Sequence, residues 1–316
     1  MTAMPFAGRL LVGLNGQEPD VHLIRYAAMV ARLHQQAGPA VAEKLPSAPL
    51  PAGPDPEVRF VYLFPCAKRT AADAPPRSAL RAQVDAYFTA LPRRAAIGYD
   101  VLKGDALERL SAFAADFDSD LLLLGRSTWS PGACARIALE APCPVWLVPP
   151  GWAPVLRRLL VPCDFSEHSA AALRAAVDIA RRSWHAKCLV LHVYWTGSRF
   201  SDEPIRAIQR RQLLQSYDRF LAGIETHGVT AEPLFVEGPR VDREIIQAAG
   251  RHGVDLIVMT TRGRTRPARM LLPSITDLSI RGSQASYLVL RGADRPVGLL
   301  PALCQRLDQR DEPHFS

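Results

Sequence analysis

Short apolar runs without polar alternation recur along the chain. Residues 9–12 read Arg-Leu-Leu-Val, residues 120–124 Asp-Leu-Leu-Leu-Leu, and residues 144–148 Pro-Val-Trp-Leu-Val. The set then returns: residues 158–161 read Arg-Leu-Leu-Val again, residues 255–259 Asp-Leu-Ile-Val-Met, and residues 286–290 Ser-Tyr-Leu-Val-Leu. Such runs suit strands buried on both faces, as in parallel sheets. Segments of helical period separate them. Leu173, Ala176, Val177 and Ala180 follow the candidate N-cap Ser166. Ile205, Ile208, Leu213, Tyr217, Phe220 and Leu221 form a second pattern, and Ile245, Ile246, Ala248 and Ala249 a third.

Strand and helix in alternation predict a doubly wound α/β unit, and the repeated runs predict two of them in tandem. Gly104 and Gly238 each end an apolar run and precede a helical pattern, one in each half. The expected domains are residues 1–150 and 155–293, followed by a tail over 294–316. Pro149-Pro150-Gly151-Trp152-Ala153-Pro154 reads as the linker. Gly38 to Pro56 is too rich in proline for a regular element and reads as a loop or insertion ahead of a strand at Val58–Phe64. In the tail, Leu299–Leu307 carries one short helical pattern. A pseudo-twofold arrangement is expected, in which the last strands, residues 143–148 and 286–291, approach each other and cover their edges.

The 316 residues are 48% hydrophobic and 22% charged, which suits globular domains with their own cores. No stretch reaches the roughly 18 apolar residues of a membrane span, and no signal-peptide pattern opens the chain. The expected location is the cytoplasm. The net charge of +7 falls mostly on the second half, since residues 1–151 hold 15 Lys/Arg against 14 Asp/Glu. No basic run is interleaved with aromatics, so the excess reads as solvated surface charge rather than a nucleic-acid interface. Cys66, Cys134, Cys143, Cys163, Cys188 and Cys304 lie far apart, without C-x-x-C or zinc-ligand spacing, and read as reduced packing residues.

In open α/β sheets, ligands bind beyond the carboxyl ends of the strands. In the second half those ends are Val161-Pro162-Cys163-Asp164-Phe165-Ser166 and Met259-Thr260-Thr261-Arg262-Gly263-Arg264-Thr265-Arg266. Here the chain resembles the universal stress protein family. The opening Val161-Pro162-x-Asp164-x-Ser166-Glu167-His168-Ser169 carries the likeness, followed by Leu191-His192-Val193, Val236-Glu237-Gly238 and Asp255-Leu256-Ile257-Val258-Met259. It covers nearly all of residues 156–291 and, more weakly, 8–149. ATP-binding members of the family continue with a glycine, two residues, a glycine, nine residues, then Gly-Ser or Gly-Thr. Gly263 and Ser274 fall in register with parts of that motif.

The resemblance implies a stress-response protein that binds an adenine nucleotide (ATP, ADP or AMP) in its second half. The positions that would line the site are Pro162, Asp164, Ser166, Val193, Val236, Gly238, Thr260, Gly263, Arg264, Arg266 and Ser274. Arg266 and Pro273 stand where the family has glycines. Arginine blocks the close backbone approach that glycine permits, and proline removes an N–H donor, although Arg262, Arg264, Arg266 and Arg269 offer phosphate-binding side chains instead. Several readings stay open. Asp164 either meets the adenine-ribose end of a nucleotide or caps the next helix. Ser274 either meets a phosphate or serves as an N-cap. Val193 and Val236 line a base pocket or simply fill the core. The four arginines hold phosphate or decorate a solvated loop.

The first half departs further. Asn15 occupies the aspartate position, and the stretch from Gly125 to Pro144 is about seven positions shorter than that from Thr260 to Ser286. Nucleotide binding is expected to be lost there, and Gly125-Arg126-Ser127-Thr128 reads as a surface turn or a small anion nest. No H-E-x-x-H, G-x-S-x-G or G-x-x-x-x-G-K-S/T pattern is present. His168 reads as a surface or cap residue, and His192 as a satisfied core histidine. Cys163 beside Asp164 reads as a packing residue, with a redox-sensitive thiol as the alternative. A non-nucleotide-binding interaction module is the rival reading, with unidentified protein partners, and a slow ATPase ranks below it. The two halves form a pseudo-dimer within one chain, and a further homodimer is compatible with that.

Overall fold

The computed structural model describes residues 8–14, 20–36, 55–64, 77–126, 130–151, 153–183, 186–195, 203–261, 280 and 285–291. The Pro-rich stretch before Asp55, the tail beyond Arg291, Asn15, and Gly263, Arg264, Arg266, Pro273 and Ser274 lie outside those residues. In the first half, the elements are β1 (Arg9–Leu14), α1 (Asp20–Gln35), β2 (Glu57–Phe64), α2 (Arg77–Phe88), β3 (Ala96–Lys103), α3 (Ala106–Asp116), β4 (Leu121–Gly125), α4 (Pro131–Glu140) and β5 (Val145–Val148). The second half runs β6 (Arg158–Pro162), α5 (Glu167–Arg182), β7 (Lys187–Tyr194), α6 (Glu203–Ala222), β8 (Ala231–Glu237), α7 (Val241–Arg251), β9 (Leu256–Thr260) and β10 (Ser286–Leu290).

All ten strands join one sheet in the order β3-β2-β1-β4-β5-β10-β9-β6-β7-β8. Read inward from either edge, the order is third, second, first, fourth, fifth, so the same doubly wound topology occurs twice. Every neighbouring pair is parallel except the central one. There β5 and β10 run antiparallel, with Tyr287 opposite Leu147, Leu288 opposite Trp146 and Val289 opposite Val145. The last strands of the two halves therefore meet, as the sequence predicts, and each removes the other's open edge.

The apolar runs pack as read. β4, β5 and β10 are buried at every residue. One face of the sheet packs against α1, α2 and α5, and the other against α3, α4 and α7. Helix starts follow local chemistry. Asp105 accepts from the N–H groups of Leu107 (3.0 Å) and Glu108 (3.1 Å), and Ser130 Oγ accepts from Ala133 N–H (3.2 Å). Cys134, Cys143 and Cys188 sit in the core, where burial pushes their thiols up to about 11, about 12 and about 12. They pack as small apolar residues.

The seam between the halves is polar as well as apolar. Trp146 of β5 is 1% exposed and meets Tyr26 of α1 edge-on at 6.5 Å. Tyr26 Oη donates to Ala153 O (3.1 Å) and lies 3.5 Å from Ser286 Oγ at the start of β10. Arg126 Nη1 donates to Ala285 O (3.1 Å), and Arg291 Nη1 donates to Ala141 O (3.0 Å). Each half thus sends an arginine to a backbone carbonyl of the other.

Turn geometry repeats across the halves. Asp120 and Asp255, each just before a fourth strand, accept from the N–H of Arg9 (2.8 Å) and of Arg158 (3.0 Å) at the start of the first strands. Two residues earlier the chain turns left-handed, at Asp118 (φ 53°) and at Gly253 (φ 57°). Glycine takes that conformation without steric cost, whereas aspartate is strained. Asp118 gains an ion pair to Arg9 at 3.0 Å, but both groups are well exposed, so the pair returns little. Asp118→Gly is therefore expected to stabilise the protein by about 1 kcal/mol. Urea unfolding of the two proteins checks this, and an unchanged or lower midpoint refutes it.

Candidate functional site

The order of β9, β6 and β7 places the topological switch of the second half between β9 and β6. Two residue pairs hold these strands together, Leu159 with Leu256 and Leu160 with Ile257. The ladder stops before either strand ends. Between β1 and β4, the matching pair in the first half, four residue pairs are formed. The carboxyl ends of β6 and β9, with Pro162 and Thr260, thus lie where an open α/β sheet accepts ligands.

The β6–α5 turn is tied by short polar side chains. Asp164 Oδ1 accepts from Ser166 N–H (3.1 Å) and from Ser169 Oγ (2.6 Å). Asp164 N–H donates to Ser169 Oγ (3.0 Å), and Ser166 Oγ caps α5 by accepting from Ser169 N–H (3.2 Å). The sequence left capping and ligand contact open for Asp164. Its Oδ1 organises the turn that precedes α5, while Ser166 is the N-cap itself.

Phe165, between them, is left-handed at φ 59°. A bulky residue pays about 1–2 kcal/mol for this conformation. Its ring stacks on His192 at 4.4 Å and meets Phe220 edge-on at 5.7 Å. His192 Nδ1 lies 2.8 Å from Cys163 O; a carbonyl only accepts, so Nδ1 carries a hydrogen. The histidine is half-buried and partnered. Cys163 is 7% exposed, and its Sγ accepts from Phe165 N–H (3.3 Å). The thiol is a buried part of the turn, in keeping with its reading as a packing residue.

Val193 and Val236 are neighbours in the β7–β8 register, half-buried and packed on the face that carries α7. Gly238 continues β8, its N–H donating to Tyr194 O (2.9 Å). A Cβ at Gly238 would come within 2.5 Å of Glu244 Oε1, so a larger residue there requires the Glu244 side chain to move. At the start of α7, Arg240 Nη2 donates to Asp242 Oδ2 at 2.8 Å and holds the Asp242 carboxyl below its ordinary range. Pro162, Asp164, Ser166, Val193, Val236, Gly238 and Thr260 accordingly gather at the carboxyl ends of β6, β7, β8 and β9. Gly263, Arg264, Arg266 and Ser274, with Pro273, lie outside the described residues.

Sequence reading gave no role to Ser169, Phe165 or Arg240. Ser169 had a signal in its three-residue spacing from Ser166. Phe165 had none, because nothing in its type announces a left-handed backbone. Thr260 lies three residues before Gly263, and nine residues separate Gly263 from Pro273-Ser274, so Thr260 and Pro273 stand at glycine positions of the phosphate motif while Arg266, read above as a third, falls in the nine-residue spacer. Among the described residues, no group of three His, Cys, Asp or Glu side chains is placed to hold a metal ion. No helix there is long and apolar enough to cross a membrane.

Comparison with known proteins agrees with this architecture. Residues 156–291 match the universal stress protein family. The chain is 28% identical over 151 residues to the universal stress protein YxiE of Bacillus subtilis, covering 43% of this chain and 100% of that one. It is 26% identical over 141 residues to a universal stress protein of Methanocaldococcus jannaschii, covering 43% of this chain and 82% of the relative. Among solved structures, a functionally unknown protein from Pseudomonas aeruginosa PAO1 shares the fold at a TM-score of 0.64 and 16% identity, covering 98% of this chain and 100% of its own. A universal stress protein from Archaeoglobus fulgidus does so at 0.59 and 14%, covering 90% and 98%. Residues 156–291 are thus a domain of the universal stress protein family.

Proposed function

We propose that the protein is a stress-response regulator whose second domain, residues 155–293, binds an adenine nucleotide, and whose first domain, residues 1–150, has lost that capacity. The observation that carries this reading is the Asp164-Phe165-Ser166 turn, whose Phe165 is held left-handed beyond the point where β6 and β9 stop pairing. Strain kept at such a place fits a ligand site better than a plain connection. Asp164 would meet the ribose, and Val193 with Val236 would flank the base. Thr260, Gly263, Arg264, Arg266 and Ser274 would meet the phosphates, through side chains where glycine is replaced.

Isothermal titration with ATP, ADP and AMP tests the proposal. Binding is expected for at least one of them. Asp164→Ala is expected to weaken it about 10- to 100-fold, the range of a hydrogen bond to a charged group. Circular dichroism confirms that the variant is folded. No heat at millimolar nucleotide, or affinity unchanged by Asp164→Ala, refutes the reading.

One observation favours a second reading, an interaction module without nucleotide. Asp164 Oδ1 already holds two hydrogen bonds within its own turn, and threonine and proline stand at family glycine positions 260 and 273. That reading expects a melting temperature unmoved by nucleotide.

A further inference from the structure

Once β5 and β10 cover each other, the ten-stranded sheet has two remaining edges, β3 and β8. They are finished differently. On β8, Thr230 O and Gly238 N–H bond to β7, so alternation turns the backbone groups of Ala231, Pro233, Phe235 and Glu237 outward. Tyr217 Oη donates to Ala231 O at 2.7 Å and occupies one of these acceptors. Pro233 has no N–H to offer. An edge closed in this way is a poor template for another strand.

On β3, Ala96 N–H donates to Pro56 O (2.9 Å), so Ala96, Gly98, Asp100 and Leu102 turn toward β2. Ile97, Tyr99, Val101 and Lys103 turn their N–H and C=O groups outward. None of the four makes an outward backbone hydrogen bond among the described residues, and no proline interrupts the strand. Val101 is also 38% exposed. An eight-residue strand without proline, and with no outward backbone partner among the described residues, is a pairing surface.

We propose that β3 pairs with β3 of a second copy of this chain, antiparallel, across a twofold axis at Tyr99. The sequence of the strand argues for this occupant because it complements itself. With Tyr99 on the axis, Ile97 faces Val101, Gly98 faces Asp100, and Ala95 faces Lys103, so no like charges oppose each other. A register centred on Asp100 would set two carboxylates face to face, and one centred on Gly98 would set Arg93 against Lys103. The interface is isologous, and the guarded β8 edge ends the assembly at two chains instead of a filament.

Sedimentation equilibrium of the full chain is expected to give twice the chain mass at micromolar concentration. Val101→Pro removes an outward N–H without touching the β2–β3 ladder. It is expected to sediment as a monomer with the wild-type circular dichroism spectrum. Should that variant fail to fold, Val101→Lys, which places a charge against Ile97 of the partner subunit, is expected to give the same monomer. Register is read by oxidation. Tyr99→Cys is expected to form a crosslinked dimer, because hydrogen-bonded antiparallel pairs hold their Cα atoms about 5.5 Å apart, within disulfide range. Asp100→Cys, facing Gly98, is not. A monomeric wild type overturns the proposal. So does a folded Val101 variant that remains dimeric, or crosslinking through Asp100→Cys rather than Tyr99→Cys.

Discussion

Trp146→Ala is expected to lower stability by about 3–5 kcal/mol, more than any other single apolar truncation in the sheet. Trp146 is among the largest fully buried side chains and sits at the centre of β5. It is opposite Leu123 of β4 on one side and Leu288 of β10 on the other. Its removal leaves a void between the two halves and strips Tyr26 of its ring partner. Tyr26 is bound to Ala153 O, so α1 cannot readily shift inward to fill the gap. Guanidinium unfolding followed by circular dichroism measures the loss. Because the seam is damaged, the two halves are expected to separate into two transitions where the wild type shows one. A loss below about 1 kcal/mol, the scale of a surface substitution, would mean that Trp146 does not bind the halves together.

Arg182→Met is expected to cost a similar amount, about 3–5 kcal/mol at neutral pH. The Arg182 side chain is 8% exposed and lies 3.2 Å from Asp178 Oδ1. Its Nη1 donates to Leu33 O and Gln36 O, each at 3.2 Å. One guanidinium therefore pairs with a half-buried carboxylate and satisfies carbonyls at the end of α1, across the seam. Methionine keeps the volume and loses both roles. The deficit should depend on pH. Burial already raises the Asp178 carboxyl above its ordinary range, and Arg182 is the main influence pulling it down. Without Arg182 it rises further above its unfolded value. A carboxyl raised in the folded state is tolerated below the unfolded pKa, about 3.9, and penalised as pH climbs through the folded one. The variant should thus come nearest to wild type in acid and fall behind as pH rises from about 4 toward neutrality. Urea unfolding across that range measures the trend, and a deficit independent of pH would show that Asp178 is not involved.

Much of the architecture was legible because it rests on burial. Leu-Leu-Val in β1 and in β6, and the apolar cores of β4, β9, β5 and β10, cannot be solvated cheaply. Their repetition along the chain becomes repetition in the sheet. Ser166 as a helix start was legible for the same local reason, a short oxygen-bearing side chain placed before an apolar periodic run. What stayed hidden depends on partners distant in sequence. Arg182 reads as an ordinary basic residue in the last turn of a helix, and only folding brings it to Leu33 and Gln36, some 150 residues away. Asp118 fills a left-handed position that glycine fills at 253, a choice invisible without the aligned copy. The open flank of β3 also escaped notice. Which side of a strand its backbone groups face is decided by pairing, and the residue types in β3 do not state it.

The antiparallel junction of β5 with β10 also bears on how the protein changes over generations. Two identical subunits meeting at such a junction inherit every substitution in duplicate, so a change that blunts one mouth of the sheet blunts both. Here the two sides are encoded in separate stretches of the same gene. One mouth is free to differ from the other: the first carries Asn15 after its opening strand, the second Asp164 and its serines. Covalent fusion makes asymmetry heritable.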